Sequence, residues 1–166
     1  MAKLVSRTYG DALFQLAVEE NRIDTMFEEV RTVAAALQEN PDLTRLMNHP
    51  NIDKEEKVKL IEDIFKGQVE DELVGLMRMI VEKDHYNEIE SVFTYFMEQV
   101  KEYKNIGTAY VTSAMELSDA QKAAVEKRLL ETTTYVKFEM HYDVDAALIG
   151  GMVIRIKDRV VDSSIQ

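Results

Sequence analysis

The chain has 166 residues, enough for one well-packed domain or two small ones, and its 20 Lys+Arg against 31 Asp+Glu give a net charge of -11 at pH 7. Having no cysteine, it has no disulfide framework and no thiolate metal site, and because it lacks a basic face, nucleic acid is not an expected partner. No apolar run approaches the roughly 20 residues of a membrane-spanning helix, and residues 1–5 lack the apolar core of a signal peptide, so we expect no direct membrane insertion.

In the first part of the chain, apolar side chains recur at the spacing that places them on one face of a helix. Six such faces follow one another. They cover residues 5–17, 23–37, 43–47, 58–65, 73–81 and 86–103. Asn40-Pro41 separates the second helix from the third, and Asp53 with Glu56 has the form of a capping box at the start of the fourth. Six amphipathic helices with short loops predict a compact antiparallel bundle.

Charge and hydrophobic period both change near residues 104–107. Residues 1–105 hold 13 Lys+Arg against 22 Asp+Glu, whereas residues 106–166 hold 7 against 9. The apolar period changes from helical to alternating at the same place. We therefore expect two domains, 1–105 and 106–166.

The second domain is predicted to contain four strands and one helix in the order β-α-β-β-β. These elements cover residues 108–114, 118–132, 136–142, 152–156 and 159–161. Ser118 and Gln121 form a capping-box pattern at the start of the helix. Lys157-Asp158 joins the last two strands as a hairpin. The whole chain is thus predicted to be α plus α+β, a six-helix bundle followed by a small β-α-β-β-β domain.

Histidines and carboxylates are candidates for metal binding or acid/base chemistry. His49, His85 and His141 lie far apart in sequence, and a metal site would require them to converge with a carboxylate. Glu55-Glu56 and Glu70-Asp71-Glu72 have the composition of an acid/base pair or a cation site. They also fall in the first turns of predicted helices, where negative charge complements the helix dipole, and we favour that interpretation.

The paired glycines Gly150-Gly151 are a candidate phosphate loop. No Lys-Ser/Thr follows them, and they precede a strand rather than the N-terminus of a helix, which disfavours nucleotide binding. Ser163 and Ser164 lack the glycine-flanked turn of a nucleophilic serine. The sequence therefore predicts no catalytic residue, no metal and no cofactor.

Residues 144–164 form the most informative segment. The segment contains, in this order, Asp145, an apolar pair at 148–149, the glycines Gly150 and Gly151, two alternating strands and Asp162-Ser163. This segment resembles the C-terminal signature of the δ subunit of bacterial F-type ATP synthase, whose mitochondrial counterpart is the oligomycin-sensitivity-conferring protein. We interpret Asp145, Gly150, Gly151, Asp162 and Ser163 as a structural signature that shapes the hairpin.

Two further segments are similar to the same family. Residues 9–17 match its N-terminal pattern, except that Gly10 replaces the usual alanine, a change that costs up to about 1 kcal/mol of helix propensity. Residues 113–121 match the segment that leads into its C-terminal helix. The family usually continues past the Asp-x-Ser with a further helix, whereas this sequence stops at Gln166, so we expect either that the sequence is truncated there or that this member lacks that helix.

The resemblance implies a non-catalytic peripheral-stalk subunit of a proton- or sodium-translocating ATP synthase, peripheral at the cytoplasmic face of the cell membrane. One copy would link the α/β catalytic head to the C-terminal ends of the b subunits and resist rotational torque. The alternatives are a free-standing helical adaptor and, less favoured, a small metal-dependent hydrolase.

The resemblance also implies where the head binds. In this family the groove between the first and fifth helices receives the N-terminal amphipathic helix of an α subunit. Carried over by position, the groove includes Tyr9, Ala12 and Met79, with Leu76 and Lys83 as neighbours. Met79 falls outside the apolar face of its own helix, although a single exposed apolar side chain is also ordinary.

Overall fold

The structure is a computed structural model that describes residues 2–157 and 159–163. The predicted α plus α+β class is confirmed in its coarse form, because helices come first and a small mixed sheet follows. The chain divides into two compact units, residues 1–100 and 101–166. In the described part of the chain, every helix is too short or too polar to span a bilayer.

Six α-helices and a short 3-10 turn precede the first strand. They are α1 (Ala2–Glu19), α2 (Ile23–Glu39), α3 (Pro41–Met47), α4 (Lys54–Phe65), α5 (Asp71–Glu82), the 3-10 turn Tyr86–Glu88 and α6 (Ile89–Tyr103). The interior of the first unit draws on all six helices. Its largest fully buried side chains include Phe93, Phe96, Leu13, Met26, Ile61, Leu73, Met77, Ile80 and Ile89. Each contributes about 1.5–3 kcal/mol by burial, which makes this unit a firm support for its surface.

The helix boundaries agree with the sequence, but the capping bonds do so only in part. α3 begins at Pro41, while the Asn40 side chain turns back and donates to the Ala36 carbonyl at the end of α2 (2.7 Å). Asp53 occupies the N-cap of α4, yet its side chain makes no cap hydrogen bond, so the predicted capping box there is wrong. Only the backbone of Asp53 begins the helix, by accepting from the amide of Lys57 at 3.0 Å.

The boundary between the two compact units falls after Val100, so the last residues of α6 belong to the second unit. Lys101 Nζ lies 2.6 Å from Glu139 Oε2. The Asn105 side-chain amide donates to the Thr134 carbonyl at 2.7 Å. These bonds assign the connection between helix and sheet to the second unit.

The second unit contains β1 (Ile106–Ser113), α7 (Asp119–Thr132), β2 (Lys137–Val144), β3 (Met152–Ile156) and β4 (Arg159–Ser163). The sheet order is β2-β1-β3-β4, with β1 and β2 parallel and the other two pairs antiparallel. The predicted β3–β4 hairpin is confirmed, although Asp158 in its turn lies outside the described residues. α7 connects the two parallel strands. The predicted capping box is present at its N-terminus: Gln121 N donates to Ser118 Oγ at 3.1 Å, and Ser118 N donates to Gln121 Oε1 at 2.8 Å.

Candidate docking face on the first and fifth helices

One flank of α1 is fixed against α6. Gly10 is buried at this contact, where a Cβ would overlap the Tyr95 ring. Asp11 Oδ1 accepts hydrogen bonds from the Tyr95 hydroxyl and from Gln99 Nε2, both at 2.9 Å. Successive helical residues turn by about 100°, so Tyr9 lies about 200° around α1 from Asp11. Tyr9 therefore points away from α6.

One flank of α5 is fixed against α4 in the same way. Arg78 Nε lies 3.6 Å from Glu62 Oε2, and the two helices pack against each other. Leu76 lies about 200° around α5 from Arg78, Met79 lies about 100° from it, and Lys83 follows the last residue of the helix. α1 also packs against α5. We call Tyr9, Ala12, Leu76, Met79 and Lys83, the residues that the resemblance implies for the groove between these helices, the α1/α5 face.

The five residues differ in burial. Tyr9 and Leu76 are half-buried against the core of the first unit, whereas Ala12 and Lys83 are exposed. Met79 is 48% exposed, in contrast to the other large apolar side chains of α5. The α1/α5 face thus has a half-buried apolar base, a small residue and an adaptable thioether at its surface.

Gly75 belongs to the same surface and was missed from the sequence. It lies one turn before Met79, is exposed, and a Cβ built there meets no atom within 4 Å. A glycine inside a helix costs about 1 kcal/mol relative to alanine, so an exposed helical glycine is a signal in itself. Its effect here is to lower the surface of α5 beside Met79.

The candidate chemical residues do not come together as a metal site. Among residues 2–157 and 159–163, no group of three His, Asp or Glu side chains is placed to hold a metal ion. His141 Nε2 lies 3.0 Å from Glu139 Oε1, and His85 Nδ1 lies 3.8 Å from Glu88 Oε2. Glu55 and Glu56 lie in the first turn of α4, and Asp71 and Glu72 in that of α5, as the dipole interpretation predicts.

The Asp145–Gly151 loop returns the chain to β1. Asp145 N donates to the Ser113 carbonyl at 2.8 Å, and Asp145 Oδ1 accepts from Ala147 N at 3.0 Å. Gly150 and Gly151 have φ of 68° and 69°, a conformation that glycine adopts without steric cost. β3 then begins beside Ser113, and in the hairpin Asp162 and Ser163 pair with Val153 and Met152. The segment thus connects β2 to the β3–β4 hairpin.

One face of the sheet of the second unit carries a row of polar and aromatic side chains. The Tyr110 ring stacks on the His141 ring at 4.9 Å, and the Arg155 guanidinium lies 4.6 Å from the Tyr110 ring centre. Burial by itself raises the pKa of the Glu139 carboxyl, but hydrogen bonds and charges from Lys101 and His141 together hold that pKa below its usual range.

Comparison with known proteins identifies the fold first. A solved chain in a structure described as the Toxoplasma gondii mitochondrial ATP synthase hexamer matches with a TM-score of 0.77 over 96% of this chain and 90% of that chain. The sequence identity is 15%, so this likeness concerns the fold. The fold is therefore one that occurs in an ATP synthase assembly.

Sequence comparison then gives the family. The family model described as ATP synthase delta (OSCP) subunit matches residues 5–166. ATP synthase subunit delta of Lachnoclostridium phytofermentans is 52% identical over 166 residues, which cover 100% of this chain and 91% of the relative. That of Prochlorococcus marinus subsp. pastoris is 29% identical over 161 residues, 97% of this chain and 89% of the relative.

The chain belongs to the ATP synthase delta (OSCP) subunit family. It is a non-catalytic subunit of an ATP synthase with the peripheral-stalk role, and other ATP synthase subunits are its partners. The family that the resemblance indicated is confirmed. This family replaces the two alternatives, a free-standing helical adaptor and a metal-dependent hydrolase. The expectation about a final helix concerns the chain beyond Ser163, outside the described residues.

Proposed function

We propose that the first unit caps the catalytic head by binding the N-terminal amphipathic helix of an α subunit on the α1/α5 face. The observation that carries this proposal is the exposure of Met79 one turn after the open Gly75 on α5, together with the exposure of Ala12 on α1. An amphipathic helix docks through apolar anchors spaced at i, i+3 and i+7, and a long, shallow apolar strip between two helices suits that spacing. Met79 adapts to the partner's shape, and Tyr9 offers a large apolar surface with a polar tip.

The six helices act in this proposal as one antiparallel bundle that resists deformation. Torque from the rotating shaft must be opposed by a stationary link, so the link needs a stiff core and a slowly dissociating interface. The continuous apolar interior of the first unit supplies the stiffness. No catalytic residue is required for such work.

We assign the second unit to the C-terminal ends of the b subunits. Support comes from exposed apolar side chains at one end of its sheet. Met115 follows β1, Val144 ends β2 beside Ser113, and Ile149 lies in the loop that leads to β3. Neighbouring exposed apolar residues are typical of protein contact sites. The subunit would then join head and stalk as one copy, peripheral at the cytoplasmic face of a membrane that carries a proton or sodium gradient.

The test is a calorimetric titration with a synthetic peptide of the cognate α-subunit N-terminus. Met79→Asp places a charge in the apolar contact and should weaken binding at least tenfold, a loss of about 1.4 kcal/mol or more. Leu46→Asp is the matched control, because Leu46 on α3 is 44% exposed and lies outside the α1/α5 face. Equal affinity of both variants would refute the assignment of the face.

A further inference from the structure

β2 is an edge strand of the sheet in the second unit. The sheet order β2-β1-β3-β4 pairs one side of β2 with β1 and leaves its other side at the edge. A strand at the edge of a sheet presents a row of unpaired backbone N–H and C=O groups, which can pair with a strand of another chain. Lys137, His141, Asp143 and Val144 of β2 are exposed, so solvent reaches the strand from one end to the other.

The charges of β2 are complementary to one another when two copies of the strand run antiparallel. In a two-fold arrangement centred on Met140, Lys137 lies opposite Asp143 of the second copy, and Glu139 lies opposite His141. Directly opposite side chains of an antiparallel pair have Cβ atoms about 4.5–5.5 Å apart, and opposite charges at that distance stabilise the pair. The two-fold axis repeats each charge pair once.

The same alignment pairs the exposed apolar side chains that flank β2. Val136 precedes the strand and is 68% exposed, whereas Val144 ends the strand and is 50% exposed. Centring the two strands on Met140 places Val136 of one copy opposite Val144 of the other. One alignment therefore gives partners both to the charges of the strand and to the exposed apolar residues at its two ends.

Other alignments of two β2 strands are disfavoured. Moving the centre to Glu139 places the Glu139 carboxylates of the two copies opposite each other, and moving it to His141 places Glu139 opposite Asp143. Both arrangements set like charges directly opposite each other, which destabilises a strand pair. A slip of one residue turns the polar face of one strand toward the apolar face of the other. The sequence of β2 thus favours a single register.

We propose that two copies of the free subunit pair through β2 as an antiparallel dimer centred on Met140, which joins their two four-stranded sheets into one. A contact of one strand from each copy is smaller than the roughly 1,200–2,000 Å² of a standard interface, so the dissociation constant is on the order of 10–100 μM. Val144 also belongs to the surface that we assign to the b subunits. The dimer is therefore a form of the subunit outside the ATP synthase, and its pairing does not depend on that assignment.

The first test is a charge exchange followed by analytical ultracentrifugation of the whole chain. Lys137→Glu sets carboxylates opposite each other and Asp143→Lys sets ammonium groups opposite each other, so each should weaken dimerisation about tenfold. The chain that carries both substitutions has opposite charges again and should recover the dimer. Lys127→Glu is the control, because Lys127 lies on α7, its side chain is 79% exposed, and the change of charge is the same. Thermal melts verify that each variant is folded.

The second test uses the two-fold axis itself. The axis places residue 140 beside its own copy with Cα atoms about 4.5–5.5 Å apart, a separation that a disulfide can span. The chain has no cysteine, so Met140→Cys introduces a single thiol. Mild oxidation should link two copies through Met140→Cys faster than through Met115→Cys, although Met115 is 78% exposed and Met140 is half-buried.

Three results would overturn the proposal. A chain that stays monomeric up to about 500 μM forms no such dimer, and the edge of β2 is then left for an extended segment of another protein. A dimer that neither charge change weakens, or that the double exchange does not recover, pairs through another surface. If a charge variant unfolds, the disulfide rates decide, because linkage through Met115→Cys at least as fast as through Met140→Cys contradicts the two-fold contact.

Discussion

Gly10 of α1 lies so close to Tyr95 of α6 that a Cβ at position 10 would overlap the tyrosine ring. Tyr95 is also held by Asp11 through its hydroxyl, which limits how far the ring can move. The glycine that appears from sequence to weaken α1 therefore permits the approach of two helices. This contact orients α1 and places Tyr9, about 200° around the helix from Asp11, away from α6.

Gly10→Ala should destabilise the first unit even though alanine is the better helix former. The gain of about 1 kcal/mol in propensity is outweighed by overpacking against Tyr95, which costs about 1–3 kcal/mol. Gly75→Ala is the matched control, because its Cβ meets open space and should stabilise by about 0.5–1 kcal/mol. Urea denaturation measures both, and a stabilising Gly10→Ala would contradict the packing argument.

Ser118→Ala should destabilise the second unit by about 1 kcal/mol, since it removes the side-chain acceptor for Gln121 N at the start of α7. Asp53→Ala, at the N-cap of α4, should change stability by less than about 0.5 kcal/mol, because Asp53 makes no side-chain cap bond. The two variants are compared by thermal melts. Equal losses would show that the two caps are equivalent in solution.

The Lys101–Glu139–His141 contacts predict acid sensitivity of the second unit. The pKa of Glu139 is lower in the folded chain than its usual value, so its contribution to stability is present above about pH 4.3 and is lost as pH falls through the lowered pKa. Glu139→Gln should flatten this part of the stability profile between about pH 5 and 3. Glu131→Gln, an exposed residue 4.0 Å from Lys127, is the control and should leave the slope unchanged.

Ile149→Asp should weaken binding to the soluble part of the b subunits while leaving the second unit folded. Ile149 is 100% exposed and contributes no burial to the fold, so the fold loses nothing when it is replaced. Val136→Asp is the control, because Val136 is 68% exposed but precedes β2, at the end of that strand opposite to Val144. A pull-down in which Val136→Asp weakens binding as much as Ile149→Asp would contradict the proposed surface.

Local signals in the sequence account for much of the fold. Helical spacing identified all six segments of the first unit, and strand alternation with the Ser118–Gln121 pattern identified the elements of the second. The sheet order was not predictable, because the parallel pairing of β1 with β2 joins residues about thirty positions apart. Local alternation carries no information about which strand lies beside which.

The surface was less accessible to sequence reasoning than the fold. The resemblance supplied Tyr9 and Met79, but the role of Gly10 depends on its contact with Tyr95, and Arg22 forms an ion pair with the distant Glu70. Both contacts join residues that are distant in sequence, so no window of the sequence contains them. The capping box expected at Asp53 failed for a related reason, since a cap requires side-chain geometry in addition to residue type.

Cross-linking in the assembled ATP synthase tests whether the α subunit lies on the α1/α5 face. The chain has no cysteine, so Met79→Cys and Leu46→Cys each introduce a single thiol that can carry a photoactivatable cross-linker. We expect that Met79→Cys gives a cross-linked product with the α subunit and that Leu46→Cys, on α3, gives little or none. An α-subunit product of equal yield from both positions, or from Leu46→Cys alone, would contradict docking on the α1/α5 face.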